Sequence, residues 1–177
     1  MRARSQAKIE RNLNGNTLVR QSLLRRTVAW LTLVAFIGQP MIVTAQVIAD
    51  QAAAANKRPV IDTTANGIPL VQIATPNAAG LSHNQYTQFN VDPAGLILNN
   101  SSTTVLTQQA GYVAGNQNLA NGAASVILNE VTSTSRSQLN GYIEVAGPQA
   151  EVIVANPNGI TCNGCGFINT KIGRAHV

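Results

Sequence analysis

The 177-residue chain carries twelve Lys and Arg against seven Asp and Glu, a formal charge of +5, with only 11% charged and 4% aromatic residues. Low charge with abundant Val, Ile and Leu argues against disorder, and the length argues against a multi-domain enzyme. The excess charge is confined to one end: residues 1–45 hold seven basic side chains and one acid, residues 46–177 five basic and six acidic ones. A nucleic-acid-binding domain carries its basic patch on the folded part, so no nucleic-acid partner is expected.

The leader has three stretches. A basic region runs to Arg25-Arg26, an apolar core follows from Val28 to Gly38, and Gln39-Pro40 breaks the helix ahead of Val43-Thr44-Ala45. That order of charge, apolar run and small-x-small site predicts a helical, extended signal peptide over residues 1–45, with cleavage after Ala45. Val47-Ile48-Ala49 and the run Ala52–Ala55 satisfy the same small-residue rule. An apolar run of about eleven residues is too short for a membrane span, which needs roughly 20. The leader implies the general secretion machinery and signal peptidase as partners, with membrane contact only in transit.

Export places both cysteines in an oxidising compartment. Cys162-Asn-Gly-Cys165 has the spacing of a redox pair, half a zinc site or a local disulfide. Zinc needs about four ligands, and outside the leader only His83 and His176 are at hand to join the pair. A redox motif would open a helix, whereas Asn163-Gly164 is turn chemistry, so a disulfide pinning a tight turn is favoured. No metal and no cofactor is expected.

Beyond the leader no stretch has the spacing of a long amphipathic helix, and residues 46–58 read as a linker. The apolar runs that follow are short and β-branched: Val60-Ile61, Leu70 to Ile73, Leu96 to Leu98, Val126 to Leu128, Tyr142 to Val145 and Val152 to Val154. Gly, Pro, Asn or Ser bounds each, which predicts many short strands and an all-β fold. After residue 45 there are 16 Asn and 12 Gly, and Asn-Gly pairs at 66, 121, 140, 158 and 163 mark tight turns. The pairs at 121, 140 and 158 lie 19 and 18 residues apart, a period that favours a parallel β-solenoid over a sandwich. Asp92-Pro-Ala-Gly95 and Asn156-Pro-Asn-Gly159 both suit type I turns.

Ser82-His-Asn-Gln-Tyr-Thr-Gln-Phe-Asn-Val91, Ile127-Leu-Asn-Glu-Val131 and Ala155-Asn-Pro-Asn-Gly-Ile160 running into Thr161-Cys-Asn-Gly-Cys-Gly-Phe-Ile-Asn-Thr170 closely resemble the secretion domain of two-partner-secreted exoproteins. That family includes filamentous haemagglutinins and contact-dependent growth-inhibition toxins. The resemblance implies a right-handed parallel β-helix, a pectin-lyase-like solenoid with an N-terminal cap, over residues 59–171. It further implies a secretion address, bound while unfolded in the periplasm by the periplasmic domains of a dedicated outer-membrane transporter. The chain would then fold outside, ahead of a longer adhesin or toxin, leaving the product secreted or on the cell surface.

The resemblance assigns transporter recognition to two Asn-rich motifs. Asn156, Pro157, Asn158, Gly159 and Ile160 match the family's Asn-Pro-Asn-Gly-Ile. Asn116, Gln117, Asn118 and Leu119 stand where the family has Asn-Pro-Asn-Leu, and Gln117 loses the φ that proline presets. A free-standing β-helical adhesin and a polysaccharide-active enzyme are the alternatives. The second lacks clustered acids: Asp50, Asp62, Asp92, Glu130, Glu144 and Glu151 are dispersed, Glu144 and Glu151 read as solvated strand residues, and Ser82-His83 forms no triad, with His83 expected to be structural. No catalytic residue is expected.

After Thr170 the sequence departs from the family, and Lys171 to Val177 looks like a translated sequencing-adaptor read-through. Residues 172–177 are therefore expected to be non-native, with the β-helix cut mid-domain. The genomic locus past codon 170 is expected to encode a different sequence; finding the same heptapeptide there refutes this.

Overall fold

The computed structural model describes residues 47–177. The signal peptide and Ala45 lie outside the described residues. The strands are β1 (Val47–Ala49), β2 (Val60–Thr63), β3 (Pro69–Gln72), β4 (Leu81–Phe89), β5 (Leu96–Asn99), β6 (Val105–Thr107) and β7 (Gly111–Val113). They continue with β8 (Val126–Val131), β9 (Ser137–Leu139), β10 (Tyr142–Ala146), β11 (Ala150–Ala155), β12 (Ile160–Cys162), β13 (Gly166–Ile168) and β14 (Thr170–His176). Helix among the described residues is limited to two 3-10 turns, Ala55–Lys57 and Gln117–Leu119.

The expected parallel β-helix is what forms. One face is the sheet β1-β4-β8-β11-β14, a second is β13-β10-β5-β3-β2, and β9-β12 makes the third. Val126 pairs with Glu151, Ser137 with Ile160 and Tyr142 with Gly166, all parallel, so a coil takes 23–25 residues. Parallel strands need crossovers, and here each crossover is simply the next face of the coil. β1 and β2 run antiparallel to their neighbours at one end of the two large sheets.

The spacing of 18–19 residues among Asn-Gly pairs is not the coil repeat. Asn121-Gly122 precedes β8, Asn140-Gly141 joins β9 to β10, and Asn158-Gly159 joins β11 to β12, three different corners. The equivalent pairs are Asn140-Gly141 and Asn163-Gly164, since Leu139 pairs with Cys162 immediately before them. The solenoid was correct, but the period that favoured it was a coincidence of corners.

Of residues 46–58, expected as a linker, the described part from Val47 on is built into the fold. Val47 and Ala49 are buried and β1 pairs with β4, because alternate apolar side chains of this segment reach the core. Asp50 Oδ2 accepts from the Thr132 hydroxyl at 2.7 Å, which ties the same segment to the chain after β8. Residues 173–176 pair with β11 as part of β14.

The core is a column of aliphatic side chains, among them Ile73, Leu96, Leu98, Ile127, Leu139, Ile143 and Val152, with Tyr86 and Phe89 in edge contact at 4.9 Å. Burial of the Tyr86 phenol pushes its pKa well above the usual value. Its hydroxyl donates to Asn129 Oδ1 at 2.9 Å, so the ring enters the core with its polar end satisfied.

A second, smaller cluster lies outside the coil. The antiparallel hairpin β6–β7 packs Val105, Ala110 and Val113 against Leu70, Ile97 and Ala146 of the second sheet. Glu144, on β10, is the anchor. It is 3% exposed, and its two carboxylate oxygens accept the backbone N–H groups of Gln108 (2.6 Å) and Gln109 (2.9 Å) at the hairpin tip. The reading of Glu144 as solvated is thus corrected: alternation on β10 turns it outward, and a distant hairpin covers that outer face. Glu144→Gln leaves one of these N–H groups facing an amide that cannot accept. It is expected to cost about 1–3 kcal/mol, read as a lower urea midpoint together with faster amide exchange across residues 105–113.

Candidate functional site: the asparagine corners

The two Asn-rich motifs fold as the same device. Asn156 ends the β11 run, and its Oδ1 accepts from the Asn158 N–H at 2.9 Å while its carbonyl accepts from the Gly159 N–H at 3.1 Å. Asn116 Oδ1 accepts from the Asn118 N–H at 3.0 Å, and the Asn116 carbonyl accepts from Leu119 N–H at 3.2 Å. Asn at the first position thus closes the turn with its own side chain. The second motif achieves this with Gln117 in place of proline, so the preset φ is dispensable once the side-chain bond is made.

The remaining amide hydrogens stitch each corner to another part of the solenoid. Asn156 Nδ2 donates to the Ser135 carbonyl and the Ser137 hydroxyl, both at 2.9 Å, and Asn158 Nδ2 to the Ser133 carbonyl at 2.7 Å. Asn116 Nδ2 donates to the carbonyls of Ile73 (3.0 Å) and Asn99 (3.1 Å), and Asn118 Nδ2 to that of Ile73 at 3.0 Å. Asn116 and Asn156 are 2% and 1% exposed, and Leu119 is 1% exposed. Pro157 and Asn158 are exposed, whereas Gly159 and Ile160 are half-buried. Gly159 has φ of +108°, a left-handed conformation that favours glycine, while the neighbouring Arg136 guanidinium is a flexible, exposed group that can move aside.

The structure does not bring the two motifs together: they tie to different parts of the chain, Asn116 and Asn118 to Ile73 and Asn99, and Asn156 and Asn158 to Ser133, Ser135 and Ser137. Cys162 and Cys165 are joined as a disulfide at the corner between β12 and β13. Ser82 and His83 point to opposite faces of β4. Ser82 is buried and donates to the Ala74 carbonyl at 2.6 Å, so the two side chains do not act on one another. No cluster of three or more metal-ligating side chains occurs among the described residues.

Sequence reasoning missed a polar cluster on the outer face of the first sheet. Glu130 Oε2 lies 2.7 Å from His83 Nε2 and accepts from Gln85 Nε2 at 2.8 Å. Gln85 pairs directly with Glu130 across β4 and β8, an adjacency between residues 45 positions apart that only the register reveals. The hydrogen bonds from Gln85 and His83 hold the Glu130 carboxyl below its ordinary 4.5, against a weaker opposing effect of burial.

A parallel β-helix with amide-locked corners defines a repetitive β-solenoid module. The chain belongs to the two-partner secretion domain family: the family model described as "TPS secretion domain" matches residues 45–174. It is 58% identical over 127 residues to a protein named Toxin CdiA from Yersinia pestis, covering 72% of this chain and 4% of that protein. It is also 58% identical over 111 residues to one named tRNA nuclease CdiA from Yersinia mollaretii, covering 62% and 4% respectively. The crystal structure of a filamentous hemagglutinin secretion domain matches with a TM-score of 0.66 and 38% identity, over 73% of this chain and 41% of that one. The chain thus spans about 4% of the length of these two curated relatives. The matched region is a secretion domain, not a catalytic one, and its product is secreted or held at the cell surface.

Asn156→Ala and Asn116→Ala each orphan buried backbone groups and are expected to cost about 1–3 kcal/mol. Pro157→Ala, at an exposed position, acts only through chain entropy and is expected to cost no more than about 1 kcal/mol. Urea midpoints at constant slope check all three. Because the folded-state pKa of Glu130 is depressed, its contribution is full above about 4.5 and is lost as pH falls through the lower folded value. Glu130→Gln is therefore expected to flatten the acid limb of the stability profile, measured by denaturant midpoints across a buffer series.

Proposed function

We propose that, as a two-partner secretion domain, the chain serves as an export address for a longer protein and engages an outer-membrane transporter, whose periplasmic domains read Asn116, Asn118 and Leu119 and Asn156 to Ile160 while the chain is extended. Folding outside then withdraws these residues from it. One observation carries this reading. Nδ2 of both Asn116 and Asn156 is fully committed to partners within the domain, and both residues are buried. A transporter that binds these amides must therefore meet them before the corners form. Extended segments also suit addition to a sheet edge of the partner, where main-chain bonds supply affinity.

The solenoid supports directional export on the same grounds. Each coil stacks on its predecessor, so structure propagates as chain emerges. The buried polar groups are almost all amides and hydroxyls, so few ions are desolvated as coils stack. The signal peptide at residues 1–45, cut after Ala45, delivers the chain to the periplasm. The relatives named as toxin and tRNA nuclease support a toxin in the remainder of the full-length protein, with this domain leading it out.

Export of Asn156→Ala with the cognate transporter, compared with the core control Val145→Ala, separates recognition from folding. Val145 is 1% exposed and lies outside both motifs. Slower export of Asn156→Ala than of a control with matched loss of stability is expected; equal rates sink the recognition role.

A further inference from the structure

The five Asn-Gly pairs raise a chemical question distinct from secretion. A glycine amide that follows asparagine can attack the side-chain carboxamide, and the fold treats the five sites differently. The Gly67 N–H donates to the Thr64 carbonyl at 2.9 Å, the Gly122 N–H to Leu119 at 3.0 Å and the Gly159 N–H to Asn156 at 3.1 Å. Asn66 and Asn158 are further held through their own amides, which donate to the carbonyls of Gln109 (2.9 Å) and Ser133 (2.7 Å). Gly141 is buried, and the Asp92 carbonyl lies so close that no side-chain carbon would fit there, so this pair is enclosed.

Asn163-Gly164 lacks every one of these restraints. Both residues are exposed, as are those of the pairs at 66 and 121, and what sets this pair apart is that among the described residues neither the Asn163 side chain nor the Gly164 N–H has a hydrogen-bond partner. Gly164 has φ of +80°, and the space around it is open, as it is around Gly67 and Gly122, whose N–H groups are by contrast bonded. The pair sits in the two-residue loop closed by the Cys162–Cys165 disulfide.

We propose that Asn163 is the site of spontaneous deamidation in the folded domain, and that folding protects the other four Asn-Gly pairs, including the one inside the secretion motif. The Gly164 backbone nitrogen attacks Asn163 Cγ. The N–Cγ bond forms, the Cγ–Nδ2 bond breaks, and the side-chain nitrogen leaves as ammonia with the proton released from the backbone amide. Water then adds to either carbonyl of the five-membered imide and opens it, giving an aspartyl or an isoaspartyl residue at position 163. No oxidant or reductant takes part. The product places a negative charge between the two cysteines, and the isoaspartyl form adds a carbon to the backbone of the loop. That loop stacks on the preceding corner through the Asn163 N–H, which donates to the Leu139 carbonyl at 2.9 Å, so the modification falls on a coil-to-coil contact.

Protein recovered from the medium after export, held at mildly alkaline pH and mapped by peptide mass and isoaspartyl methylation, tests this. Conversion at Asn163 is expected to exceed that at each of Asn66, Asn121, Asn140 and Asn158 by about tenfold or more, the factor set by local opening at the protected sites. In denaturant the five rates are expected to converge. Asn163→Gln, which would require a six-membered ring, is expected to abolish native-state conversion at this loop and leave the other four sites unchanged. Comparable native conversion at any of those four, or an Asn163 that stays intact when folded yet converts in denaturant, overturns the proposal.

Discussion

The structure depends on the way buried amide side chains satisfy the backbone where it leaves one sheet for the next. A β-helix buries its corners as it stacks, and each corner turns N–H and C=O groups out of the ladder. An unpaired group there costs about as much as a lost hydrogen bond with full desolvation. Asparagine answers this with one acceptor and two donor hydrogens at short reach. Asn99, Asn100, Asn116 and Asn156 are buried at strand ends and corners, Asn84 and Asn129 are buried within β4 and β8, and each bonds to backbone of another segment. Aspartate in their place would accept but not donate, and would bring a charge into the interior.

The same constraint connects the composition to the route the protein takes. A chain whose interior polar groups are neutral stacks coils without removing ions from water, and its corners assemble from groups that are free to bind elsewhere beforehand. The exception is Glu144, a buried carboxylate. It sits outside the coil, where two backbone N–H groups of a hairpin tip converge on it. Its role is to fasten an external element to the sheet, and it leaves the interior column of aliphatic and amide side chains undisturbed.

Much of the fold was legible because short β-branched runs bounded by Asn, Gly and Pro have few other outcomes. The strand runs at Leu70, Leu96, Val126, Tyr142 and Val152 fall on β3, β5, β8, β10 and β11. What misled was periodicity. Turn residues recur at every corner, and a solenoid coil has several corners, so the nearest spacing between Asn-Gly pairs measures the distance between faces and not the coil. Residues 46–58 misled for another reason: a three-residue strand is too short to show alternation, and only pairing with β4 makes Val47 and Ala49 core residues.

By itself the sequence determined that this is an all-β chain with asparagine-closed turns, and the resemblance carried by its motifs determined the family. The first property follows from local chemistry: the backbone preference of Asn and Gly, and the branching of Val and Ile. Only the tertiary structure decided which groups meet. It placed Gln85 and His83 beside Glu130, folded a hairpin over Glu144, and left the Asn163-Gly164 pair unbonded while the Gly N–H of three other Asn-Gly pairs is tied into its turn. Each of these outcomes rests on strand register across tens of residues. Register is set by the fit of whole coils to one another, which no local stretch of sequence records.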